Sequence, residues 1–112
     1  MAQDRHQKAL LEEALRNATG IQATLTTYGD TWEASHVDFE ITLSIRNGML
    51  IVRMLDTRGN RDTWNNIVEE LCDFADECSF SVYAYNVDGN AESLWQNQGF
   101  EEVEARVWRR IE

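Results

Sequence analysis

The stretch from Val37 to Asp56 constrains the fold most. Val37, Phe39, Ile41, Leu43 and Ile45 alternate with Asp38, Glu40, Thr42 and Ser44. Side chains of a strand point to opposite faces in turn, so this period of two predicts a half-buried strand. Arg46-Asn47-Gly48 follows, and an Asn-Gly pair favours the tight turn of a β-hairpin. The returning segment, Met49 to Asp56, is almost continuously apolar, which predicts a strand near the middle of a sheet. A chain with this hairpin at its centre must cover at least one face of a sheet.

The flanking segments provide the cover. Residues 3–19 predict a helix with Leu11, Leu15 and Ala18 on one stripe and Gly20 as its stop; residues 21–28 predict a strand. The segment Gly29 to His36 reads as a polar connection containing one tryptophan. A second helix is expected from Thr63 to Cys78, capped by Asp62 or Thr63. Trp64, Ile67, Val68, Leu71, Ala75 and Cys78 form its apolar stripe. Its outer face carries Glu69, Glu70, Asp73, Asp76 and Glu77, and acid in a last turn opposes the helix dipole.

Residues 80–87 read as a strand. Ala91, Leu94, Trp95 and Gln98 then recur at helical spacing, with Asp88 upstream as candidate N-cap. Gly99 stands where a helix ends in the left-handed region, and Phe100 where an apolar side chain folds back on the last turn. Residues 102–111 read as one last strand. The crossover from the Met49 strand through a helix to the Phe80 strand should be right-handed, which makes those strands parallel. A crevice is expected where they splay at their C-terminal ends.

With 112 residues there is room for a single domain spanning 1–112. No apolar run approaches the roughly 18 residues of a membrane span, and no signal peptide precedes the first helix. A soluble, cytoplasmic protein is expected. Cys72 and Cys78 match no zinc spacing, and six positions apart on one helix they point to different faces, so free thiols are expected. His6 and His36 stand alone, with no metal cluster or Ser-His-Asp set around them. Twenty acidic residues against ten basic ones give a formal net charge of −10. Such an excess repels phosphates, which opposes direct nucleic-acid binding and favours either plain solubility or a basic partner.

The element order, ending in Asn86-Val87-Asp88-Gly89-Asn90-Ala91-Glu92-Ser93-Leu94-Trp95-Gln96-Asn97-Gln98-Gly99-Phe100, resembles the GNAT superfamily of N-acetyltransferases. Ala91, Leu94, Trp95, Gly99 and Phe100 occupy the places of that family's A-x-x-L-[YF]-x-x-x-G-F pattern. The resemblance implies an α/β fold: a mixed sheet of about five strands with three helices, trimmed at the C-terminus. It also implies transfer of an acetyl group from acetyl-CoA to an amine. The cofactor would lie on the loop after the central strand, here Arg58, Gly59, Asn60, Arg61, Asp62 and Thr63, by analogy with [QR]-x-x-G-x-[GA]. Backbone N–H groups and a helix N-terminus hold a pyrophosphate in such a loop. Arg58 matches the first position, whereas Arg61 and Thr63 stand where the family has small residues. The loop is therefore either a phosphate site assisted by guanidinium groups or a simple capped turn.

The family's usual acid is a tyrosine at the position of Trp95, whose indole N–H does not titrate usefully. Tyr83 and Tyr85 are the replacement candidates, and Glu40 or Asp38 the candidate base. Equally, both tyrosines can be packed strand residues and both carboxylates solvent-facing ones. Two further readings stand beside the enzyme. One is a non-catalytic fold that binds a basic protein through Glu69, Glu70, Asp73, Asp76 and Glu77. The other is an acidic mimic of DNA that blocks a nucleic-acid-binding protein.

Overall fold

In the computed structural model, which describes residues 2–111 and the side chains from His6 to Ile111, the central hairpin forms as its sequence demands. Asn47 and Gly48 have φ of 52° and 75°, the paired positive values that a two-residue turn needs to match strand twist. The turn joins β3 (Phe39–Arg46) to β4 (Met49–Asp56), here numbered in chain order after α1 (Ala2–Thr19), β1 (Thr26–Tyr28) and β2 (Thr31–His36). Next come α2 (Arg61–Cys78), β5 (Ser81–Tyr85), α3 (Glu92–Asn97), β6 (Phe100–Glu104) and β7 (Val107–Arg110). The strands make one sheet in the order β1-β2-β3-β4-β5-β7-β6. Only β4 and β5 run parallel among these neighbours, joined through α2, and β4 is central.

One face of the sheet holds the core. Phe39, Ile41, Leu43, Leu50, Val52, Val82 and Ala84 join Leu11 and Leu15 of α1, the buried stripe of α2, and Trp95 of α3 in one apolar cluster. That stripe is Trp64, Ile67, Val68, Leu71, Phe74 and Ala75, so Phe74 belongs to it, while Cys78, expected on it, is half-buried. Both cysteines are free. Between β3 and β4 the register slips: Leu43 pairs Val52 but Thr42 pairs Met54, leaving Arg53 as the extra residue of a bulge.

Four sequence expectations change. The Gly29–His36 segment is not a polar connection, because Thr31–His36 is a strand whose Trp32 and Ala34 are buried against Leu43 and Ile41. Of residues 21–28 only Thr26–Tyr28 is strand. Val37 belongs to the turn before β3 and is exposed. The sheet has seven strands, not about five, and is not trimmed: residues 100–110 fold as a hairpin, with β7 inserted between β5 and β6. Its turn places Arg106 at φ 63°, held by a bond from the Val87 N–H to the Arg106 carbonyl at 3.0 Å.

The end of α3 matches its expectation. Gly99 has φ 86°, and Phe100 lies edge-on to Trp95 with ring centroids 4.8 Å apart. A Cβ at Gly99 would meet no atom within 4 Å, so the penalty for one is conformational alone. Gly99→Ala is expected to cost about 1 kcal/mol, read from the urea unfolding midpoint. An unchanged midpoint would mean that the left-handed residue does not anchor the clasp.

Candidate functional site

The parallel pairing of β4 and β5 runs from Met49–Ser81 to Val52–Ala84 and stops there. Beyond it the strands part around a crevice of about 230 Å³, lined among others by Arg53, Leu55, Trp64, Tyr85, Asp88 and Trp95. The expected splay is therefore present. Its floor is aromatic: Trp64 and Trp95 meet edge to face at 4.7 Å, and Trp95 is 5% exposed. Its carboxylate, Asp88, is taken up locally, accepting from the N–H groups of Asn90 and Ala91 at 3.0 Å each. Asp88 closes the turn before α3 in this way, while the N-cap position itself is Ala91.

The loop between β4 and α2 is closed on itself. Thr57 Oγ1 donates to the Asn60 carbonyl at 2.7 Å, and the Asn60 N–H donates to the Thr57 carbonyl at 3.0 Å. Asn60 Oδ1 accepts from the Thr63 N–H at 3.0 Å, which makes Asn60 the N-cap in place of Asp62 or Thr63. One of the first-turn amides that a phosphate would use is thus already bonded. Gly59 has φ 83°, as the tight turn requires, and Arg61 and Asp62 are exposed on the first turn.

Arg58 is engaged by two carboxylates at the strand ends. Its guanidinium contacts Asp56 Oδ2 at 2.7 Å and Glu40 Oε1 at 2.9 Å, and its own N–H donates to Asp56 Oδ1 at 2.9 Å. Glu40 and Asp56 are register partners at the ends of β3 and β4, so the pairing of the strands builds the cation's seat. The backbone bond from Arg58 holds the Asp56 carboxyl below its ordinary range, and the Glu40 bond raises the arginine. Glu40 is thereby engaged as an ion-pair partner, while Asp38 accompanies His36 at 3.7 Å in the exposed turn.

Tyr83 and Tyr85 share one side of β5, since Val82 and Ala84 face the core. Arg109 lies over the Tyr83 ring at 5.8 Å, and Arg53 over the Tyr85 ring at 5.6 Å. Only Tyr85 lines the crevice. Glu40 is two residues beyond Thr42 along β3 and two strands away from β5, which places it about 12 Å from Tyr85 along the sheet.

A larger concavity lies elsewhere. Glu69, Cys72, Asp73 and Asp76 of α2, with Phe80 and Arg110, line a groove of about 680 Å³ between that helix and the sheet end. Arg110 forms an ion pair with Asp76 and reaches the Cys72 thiol, whose pKa is raised by burial and lowered in part by that contact. The last turn of α2 carries no basic residue. Glu70, Asp73 and Glu77 line a smaller cleft against Glu13 of α1, so the acidic face divides into two walls. Sequence periodicity marked the acids but could not show that β7 brings Arg110 beside them.

No family model matches the chain, and no curated protein matches it. Among solved structures it is similar to L-PGS from Bacillus licheniformis, with a TM-score of 0.52 and 19% identity. The likeness covers 87% of this chain and 30% of that one, so the chain spans under a third of its neighbour's length. No helix among the described residues is long and apolar enough to cross a membrane. The likeness is one of fold, a mixed α/β sheet with three helices.

Proposed function

We propose that this protein works by binding a basic segment of another protein along α2, on a fold akin to the GNAT acetyltransferases but without their chemistry. The groove of Glu69, Asp73 and Asp76 carries the reading. It is concave, it lies at the negative end of an 18-residue helix, and Phe80 and Ile111 give it an apolar wall. A lysine or arginine suits such a place, with its stem on the wall and its charge among the carboxylates. Basic surfaces that otherwise hold nucleic acid belong to the same chemical class.

Cys72 reports occupancy directly, because its half-buried thiol lines the groove. In a Cys78→Ser background, a lysine- and leucine-containing peptide is expected to slow modification of Cys72 by a disulfide reagent. Its glutamate counterpart is expected to leave the rate unchanged. Equal rates with both peptides would remove the groove as the binding site.

The crevice between β4 and β5 favours a second reading, acetyl transfer from acetyl-CoA, with Arg61 and the remaining first-turn amides toward the pyrophosphate. Against it stand the loop's internal bonds and the engagement of Arg58 and Glu40 with each other.

A further inference from the structure

One cation already sits in the groove along α2. Arg110 is the last residue of β7 and is the register partner of Phe100. The backbone beyond it is anchored as well, since the Ile111 N–H donates to the Gly99 carbonyl at 2.9 Å. From that fixed backbone the side chain crosses to the helix. Its guanidinium pairs with Asp76 and contacts the Cys72 thiol, and those two positions lie one turn apart on α2. The α2 residues that line the groove are Glu69, Cys72, Asp73 and Asp76, so Arg110 engages half of them. Glu69 and Asp73 stay open, with no ion-pair partner among the described residues.

The two ends of the pair differ in hydration. The Arg110 side chain is 14% exposed and that of Asp76 is 63% exposed. A carboxylate so open to water is stable without a partner, and an ion pair with one solvated end is weak. The tether therefore acts on Arg110. It holds a guanidinium, the very group that a basic segment brings, among the carboxylates that segment would meet. An incoming cation can reach Asp76 only by displacing it. A seat that is filled most of the time lowers apparent affinity by the fraction of time it stands open. Vacating it takes a change of side-chain rotamer alone, because the backbone bonds of β7 do not involve the guanidinium.

We propose that Arg110 is an internal occupant of the α2 groove, an autoinhibitory contact that a partner's lysine or arginine displaces from Asp76. The proposal rests on the basic-segment reading of that groove and adds the competitor built into it. A purely structural role for the same arginine predicts something else. The last turn of α2 has no basic residue of its own, and a cation from β7 would then serve only to complement the helix dipole. Removing it would cost stability and give no gain in affinity.

The test is fluorescence anisotropy of a labelled lysine- and leucine-containing peptide with the full-length protein. Arg110→Gln is expected to tighten binding about fivefold, the upper end for an ion pair open to water. Arg110→Met, which keeps the length of the stem, is expected to do the same. Arg109→Gln removes the same charge beside the Tyr83 ring, away from the groove, and is expected to change affinity less than twofold. In an Asp76→Asn background the gain from Arg110→Gln is expected to shrink to that of Arg109→Gln, because the contested carboxylate is gone. Binding by the unmodified protein with no gain, or a loss, in the Arg110 variants overturns the proposal and leaves the groove reading standing. So does a gain that survives Asp76→Asn, or unfolding of both Arg110 variants, which would make the pair structural. If neither the unmodified protein nor any variant binds the peptide, the groove reading falls and the proposal with it.

Discussion

Trp95→Ala is expected to lower stability by about 3–5 kcal/mol, the largest effect of any single change considered for this protein. Trp95 is 5% exposed and has Trp64 at 4.7 Å on one side and Phe100 at 4.8 Å on the other, both edge to face. Truncation removes a large buried surface and two aromatic contacts, each worth about 0.5–1.5 kcal/mol beyond area. It also leaves a cavity beneath the crevice of β4 and β5 that α3 is too short to close. Urea unfolding measures the loss. Trp95→Phe should recover much of it, since the ring pairs survive. A loss below about 1 kcal/mol for the alanine variant would mean that this site packs loosely. The aromatic at the position where the GNAT pattern places a tyrosine would then have to be explained by something other than packing.

The second large effect concerns binding. Glu69→Arg combined with Asp73→Arg is expected to weaken a lysine-rich peptide about a hundredfold, because each reversal removes an attraction and adds a repulsion of about 1 kcal/mol or more. Both side chains lie on α2 and line the groove, and neither has an ion-pair partner among the described residues. Asp76 is left unchanged in this variant because it holds Arg110 beside Cys72. The helix should tolerate the changes, since arginine has a high helix propensity and both positions lie on the groove side and not in the apolar stripe. Reversing Glu33 and Glu104 instead, exposed carboxylates on other strands, should change the affinity severalfold at most. If both double variants lose binding equally, the attraction belongs to net charge and not to the groove.

Much of the fold can be read along the chain wherever one residue type dominates a local choice. The Asn47-Gly48 turn, the alternation of β3 from Phe39, the parallel crossover through α2 and the Gly99-Phe100 clasp each follow from such a choice. β2 does not, because only Trp32 and Ala34 mark its buried side among threonine, serine, histidine and glutamate. The C-terminal hairpin hides for a different reason: Ala105 and Arg106 make its turn with no glycine, asparagine or proline. Arg106 takes the positive φ itself and is held by Val87, a partner nineteen residues away.

The candidate site divides in the same way. The acids of α2 follow from helical spacing, but the groove also needs Phe80 and Arg110, which only the packed sheet brings to them. Arg58 matches a phosphate-loop position in the sequence. Its actual seat depends on Glu40 and Asp56 facing each other across β3 and β4, a register that the loop's own residues do not contain.

Calorimetry of the unmodified protein with a lysine- and leucine-containing peptide, and separately with CoA, tests the central claim most directly. Heat from the peptide that fades as salt rises, with none from CoA at millimolar concentration, is the predicted result. Saturable binding of CoA with no response to the peptide would contradict it and restore the acetyltransferase reading.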